Sequence, residues 1–148
     1  MAKAKPVLDQ LNVVSADPAA SVAFYRRLGV DIAEAGIWRT ATGTHHVNAC
    51  SGEVDFELDS TTFAQVWNPS WRGRDDLKGR VVLGFRVVSR DAVDEVYAEM
   101  TAAGYAGLQA PHDAFWGARY AIVEDPDGIA VGLMSPISPD FKAPPPDL

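Results

Sequence analysis

The sequence predicts an α+β fold in which a strand–helix–strand unit is written twice in tandem. Three observations predict it. The segment Val13-Val14-Ser15-Ala16-Asp17 returns as Val87-Val88-Ser89-Arg90-Asp91, an offset of 74 (87 minus 13) that also pairs Val22 with Val96 and, slipping by one, Gly29 with Gly104. Each copy then carries apolar residues at helical spacing up to a glycine. Beyond that glycine each copy breaks into short β-type stretches separated by turns, so each unit reads βαβββ.

The elements follow in order. Asp17 is a natural N-cap and Pro18 suits the first helical position. Val22, Tyr25 and Leu28 form one apolar stripe, and Gly29 stops the helix. Strands are expected near residues 31–38, 45–50 and 54–58, with Ser51-Gly52 as the tight turn between the last two. Residues 61–67 read as a short linking helix, and the polar, turn-rich residues 68–79 as a loop. In the second unit Val93, Val96, Tyr97 and Met100 stand at i, i+3, i+4 and i+7, and Gly104 ends the helix. Strands are expected near 107–110, 119–124 and 129–134, with Asp125-Pro126-Asp127-Gly128 turning into the last. Pro136, Pro139, Pro144, Pro145 and Pro146 give an extended arm without regular structure. One domain, residues 1–135, therefore holds a unit at 7–59, a linker at 60–79 and a unit at 80–135, followed by a tail at 136–148.

Composition narrows the function. The chain has 148 residues, 47% of them hydrophobic, enough for one packed core. A net charge of -7 and a pI near 4.8 repel phosphate backbones and anionic lipids, which disfavours nucleic-acid and membrane partners. No apolar run approaches the roughly 20 residues of a spanning helix. The start carries two lysines but runs into Asp9, Gln10 and Asn12, so no signal peptide is read. The single cysteine, Cys50, has no internal disulfide partner, which fits a reducing cytoplasm.

The segment Asp17-Pro-Ala-Ala-Ser-Val-Ala-Phe-Tyr25 with Leu28-Gly29, together with Arg119-Tyr-Ala-Ile-Val-Glu-Asp-Pro-Asp-Gly128, resembles the vicinal oxygen chelate superfamily. That superfamily includes glyoxalase I, extradiol dioxygenases and bleomycin-resistance proteins, and the resemblance covers roughly residues 7–135. Phe115-Trp-Gly-Ala-Arg-Tyr120, with Trp67-Asn-Pro-Ser-Trp71, is further similar to its drug-binding branch, which includes the mitomycin-resistance protein. The resemblance implies a curved mixed sheet around a cleft and a homodimer, sometimes with exchanged units. Some members of that branch bind a drug without a metal.

Metal-dependent members place His or Glu on inward positions of four strands, two from each unit. Carried over, these positions fall on Gln10 and Glu57 in the first unit, on Gly84 or Val82 early in the second, and on Gly132 or Val131 at its end. The second pair offers no ligating side chain, so no metal or other cofactor is expected. His45 and His46 are adjacent on a strand and face opposite ways, so only one can look into the cleft. They read as one surface and one packed histidine. His112 follows a proline and carries no partner signal. Nucleophile elbows, phosphate loops and Cys–His pairs are absent, so no catalytic residue is assigned. The alternative keeps Glu57 as the base of a lyase or isomerase, or as part of an atypical metal site.

What remains is binding. Trp38, Trp67, Trp71 and Trp116, with Phe115, can wall a pocket for a flat aromatic or hydrophobic organic molecule, while Gln10, Asn48 and Glu57 supply hydrogen bonds from its floor. Arg39 and Arg119 could meet an acidic ligand group or serve solubility. The run Arg72, Arg74, Asp75, Asp76 and Lys78 reads as a solvated loop. The sequence thus points to a cytoplasmic, metal-free binding protein of the sequestration or resistance type.

Overall fold

The computed structural model describes residues 8, 10–68, 78–79 and 81–146, with backbone only at 50 and 51. Trp71, the Cys50 side chain, the charged run from Arg72 to Asp76 and the first seven residues lie outside the described residues. The chain divides into two compact units, Met1–Arg74 and Asp75–Leu148.

The first unit runs β1 (Gln10–Ser15), α1 (Pro18–Leu28), β2 (Ile37–Thr40), β3 (Gly43–Ser51), β4 (Val54–Ser60) and α2 (Thr61–Trp67). Its sheet order is β1-β4-β3-β2, with β1 parallel to β4 and the other pairs antiparallel. The second unit runs β5 (Val82–Arg86), α3 (Arg90–Ala102), β6 (Gly107–Asp113), β7 (Arg119–Glu124) and β8 (Ala130–Met134). Its order is β5-β8-β7-β6, with β5 parallel to β8. Each unit is therefore one mixed four-stranded sheet in βαβββ order, and the expected α+β architecture holds.

Alternation along the strands decides which residues form each core. Val22, Phe24, Tyr25 and Leu28 of α1 are buried, as are Val47, Ala49, Phe56 and Leu58 of β3 and β4. Tyr25 meets Phe56 edge-on with ring centroids 5.0 Å apart. In the second unit Val93 and Met100 of α3 are fully buried, with Ala121, Val123, Val131 and Leu133 of the sheet. Each buried Val, Leu, Phe or Met contributes about 1.5–3 kcal/mol, so the helix-facing side holds each unit together. The residues between them in sequence are left for the opposite face.

Three expectations are corrected. The first post-helix strand starts only at Ile37, after a 3-10 turn at Glu34–Gly36. The turn presses Gly36 so close that a Cβ there would lie 2.7 Å from the Asn48 carbonyl oxygen, room that only glycine leaves. The tail is not an unstructured arm. It forms a 3-10 turn at Pro139–Phe141, donates from the Ser138 and Ala143 backbone to the carbonyls of Gly117 and Phe115, each at 2.9 Å, and places Phe141 3.7 Å under the Arg90 guanidinium. Its prolines stiffen a segment that these contacts then anchor.

The register of the repeat also shifts. Asp17 caps α1, but Ser89 rather than Asp91 caps α3, accepting from the Ala92 backbone N–H at 3.1 Å. The units therefore match at an offset of 72 (89 minus 17) at the helix starts. The left-handed glycines after the helices, Gly29 and Gly104, match at 75 (104 minus 29). The second helix segment is longer by three residues, close to one turn, and the offset of 74 lies between the two. Asp91 instead sits in the first turn of α3, where a carboxylate complements the helix dipole.

Candidate functional site

In the first unit the sheet face turned away from α1 is polar. Strand pairing sets Asn12 beside Glu57, Glu57 beside Asn48, and Asp59 beside His46. Their side chains form one network. The Gln10 and Asn12 amides donate to Glu57 Oε2 at 2.6 and 2.8 Å, and Asn12 also donates to Asp59 Oδ2 at 2.9 Å. The Gln10 amide reaches Asn12 Oδ1 as well. His46 Nδ1 bonds Asp59 Oδ1 at 2.6 Å. Asp59 is only 1% exposed, while His46 and Glu57 are half-buried. Among the described residues no Lys or Arg pairs with Glu57 or Asp59. One donor atom each from His46, Glu57 and Asp59 lies within 4.8 Å of the others.

The two histidines do part ways. His45 bonds Ser60 Oγ at 2.9 Å and the hydroxyls of Thr42 and Thr40 at 2.7 and 3.0 Å, which uses both ring nitrogens. It is a structural residue. His46 faces the carboxylates.

The equivalent face of the second unit is nearly bare. Gly84 pairs with Gly132, flanked by Ile122, and Tyr120 pairs with Met134. Tyr120 lies over Gly132, its Oη 2.8 Å from where a Gly132 Cβ would stand, while a Cβ on Gly84 would meet nothing within 4 Å. Trp116 meets Tyr120 with centroids 5.5 Å apart, Phe115 meets Trp116 at 5.2 Å, and His112 meets Tyr120 at 6.0 Å. Among the described strand residues of this face, charge stands at its two ends: Arg86 pairs with Met134 and Glu124 with Ala130.

The expected site residues thus fall into two groups, one on each unit. Gln10, Asn48 and Glu57 share the polar face of the first. Trp38 is on the edge strand β2, 49% exposed, with its ring 5.4 Å from Phe63; Trp67 ends α2, 45% exposed. Phe115 and Trp116 lie between β6 and β7 of the second unit. Asn12, Asp59 and Tyr120 escaped the sequence reading as site residues, and His46 was weighed there with His45 but not assigned. The signal for Asn12 and Asp59 was present, since both stand two residues from an assigned one and so share its face. Both arginines are paired within their own units. Arg39 bonds Glu34 at 2.9 Å, and Arg119 bonds Asp94 and Asp113 at 3.0 and 3.2 Å. Asp94 beside it raises the Arg119 guanidinium above its usual range.

Two mixed βαβββ sheets with donor positions on one face define a class, and the sequence model of that class matches. The chain belongs to the Glyoxalase/Bleomycin resistance protein/Dioxygenase superfamily, whose model matches residues 7–133. Similar solved structures include a glyoxalase/bleomycin resistance protein/dioxygenase family enzyme from Burkholderia phytofirmans PsJN (20% identity, TM-score 0.69, 86% of this chain and 97% of that one). A glyoxalase-related enzyme from Fulvimarina pelagi is similar at 18% identity and TM-score 0.71, over 90% of this chain and 94% of that one. A lactoylglutathione lyase from Agrobacterium tumefaciens is similar at 20% identity and TM-score 0.63, over 90% of this chain and 96% of that one. These likenesses define the fold. No curated protein sequence matches the chain.

The residues present do not fit a metal held by both units. Gly84 and Gly132 stand paired on the face in question, and Val131 is buried on the helix side. Neither glycine has a donor.

Proposed function

We propose that this protein binds a flat aromatic or hydrophobic organic molecule against the Trp116–Tyr120 face of its second unit, without a metal, in a sequestration or resistance role. The observation that carries this reading is the open backbone at Gly84 beside Gly132, which Tyr120 covers, with Ile122, Met134 and Trp116 around them. The open backbone at Gly84 lets a planar ring approach closely, and the Tyr120 and Trp116 rings beside it favour offset or edge-on contacts worth about 0.5–1.5 kcal/mol per pair. Arg86 and Glu124 at opposite ends are positioned to select polar substituents. In this reading the protein acts in the cytoplasm as a homodimer. Light scattering should then give twice the 15.9 kDa chain mass.

Titration with a panel of planar aromatic compounds, followed by tryptophan fluorescence, tests the proposal. Saturable quenching is expected, and Trp116→Leu should weaken binding by about tenfold, one to two ring contacts' worth. Absence of binding across the panel, or unchanged affinity in Trp116→Leu, overturns it.

A second reading, a lyase or isomerase with Glu57 as base, draws on the amide-oriented carboxylate of the first unit. It predicts turnover that Glu57→Gln abolishes.

A further inference from the structure

We propose that the first unit alone binds a divalent first-row transition ion, such as Co(II), Ni(II) or Zn(II), through His46, Glu57 and Asp59. The site differs from the arrangement implied by the resemblance, which draws on two strands of each unit. Here the donors come from the neighbouring strands β3 and β4 of one sheet, and only Glu57 is common to both.

Three features carry the proposal. The first is convergence: an imidazole nitrogen and two carboxylate oxygens already lie within 4.8 Å of one another. An ion held at about 2.0–2.2 Å from each donor needs them roughly 3–4 Å apart, which small side-chain rotations supply. The second is charge. Two carboxylates stand together, one of them 1% exposed, with only amides and one imidazole as compensation and no Lys or Arg among the described residues. Keeping a carboxylate away from water beside a like charge is costly, and a cation relieves both penalties. The third is donor type. Imidazole with carboxylates suits borderline divalent ions, and three protein donors leave positions open. The Gln10 and Asn12 amides now turn their nitrogens toward Glu57; a half-turn of either presents an oxygen to the ion instead. The alternation of β3 brings His46 into the set and sends His45 to Ser60, which is why one histidine takes part and its neighbour does not.

The experiment uses the full chain, stripped with chelator and titrated with Co(II), Ni(II) and Zn(II) by calorimetry, with the Co(II) visible spectrum as a second readout. One ion per chain is expected, with micromolar or tighter affinity. His46→Gln and Asp59→Asn should each weaken it at least tenfold, while His112→Gln should leave it unchanged. Glu57→Gln, at a half-buried position, serves if Asp59→Asn folds poorly, and should also weaken binding at least tenfold. No saturable binding, or equal affinity in His46→Gln and Glu57→Gln, overturns the site. The proposal is independent of the aromatic-ligand reading: chelated protein should still quench with the aromatic panel, so the two can fail separately.

Discussion

The same sheet face carries opposite chemistry in the two units. In the first, positions on β1, β4 and β3 hold Asn12, Glu57 and Asn48, with Asp59 and His46 one pleat further on. In the second, matching positions hold Gly84, Gly132 and Ile122, then Met134 and Tyr120. The helix-facing sides stayed alike, each packing an apolar stripe against alternating apolar strand residues. The difference teaches that one scaffold separates core packing from the chemistry of its other face by pleat parity. The face that packs on the helix is constrained by burial, and the other is free to become a polar network or a bare aromatic shelf.

The comparison breaks most visibly if the second face is given the first one's acid. Gly132→Glu should destabilise the protein by about 3 kcal/mol, because its Cβ meets Tyr120 Oη at 2.8 Å and the added side chain has to displace that ring. Urea unfolding checks this; a loss below about 0.5 kcal/mol would show that Tyr120 does not close the face. The converse change, Asp59→Ala, should cost about 1–3 kcal/mol, since it strands His46 Nδ1 and one Asn12 contact beside a newly opened volume. Thermal unfolding of that variant against Met134→Ala, its positional counterpart, sharpens the contrast between polar and apolar support.

The smallest effect lies at the charged clamps at the margins of the units. Arg26 and Arg39 both bond Glu34 and lower its pKa below the usual carboxylate range, the Arg26 hydrogen bond first. A depressed folded-state pKa stabilises above the unfolded value and is lost as pH falls through the folded one. Glu34→Gln should therefore leave stability slightly lower near neutrality and flatten its decline below about pH 4.5. Because Glu34 is exposed, salt should shrink the difference further. In the second unit the corresponding cation, Arg119, has its pKa raised by Asp94, so it stays protonated throughout and adds no acid-side step of its own.

Much of the fold was legible because its signals are local. Asp17-Pro18 and Gly29 bracket α1, residues 61–67 form α2 with the bounds expected, and residues 119–124 form β7. The Asp125–Gly128 turn closes through the Asp125 side chain, which accepts from the Asp127 and Ile129 backbone. Ser89 was missed as a cap because Asp91, two residues on, matches the first copy better in type. Only the hydrogen bond to Ala92 decides between them. The docked tail was missed because proline content reports stiffness and says nothing of a carbonyl waiting at Gly117.

The candidate site divides along the same line. By itself the sequence determined that the second unit lacks donors at Gly84 and Gly132, since an absent side chain needs no geometry to be read. It also determined which strand residues share a face, because parity is a property of the chain. Only the tertiary structure decided that His46 meets Asp59, that Asn12 bridges two carboxylates, and that Trp116 leans on Tyr120. The His46 and Asn12 contacts cross between strands 13 to 47 residues apart in sequence. Their register is set by burying Val47, Phe56, Leu58 and their counterparts beneath the helices, a cooperative choice that no local stretch of residues makes alone.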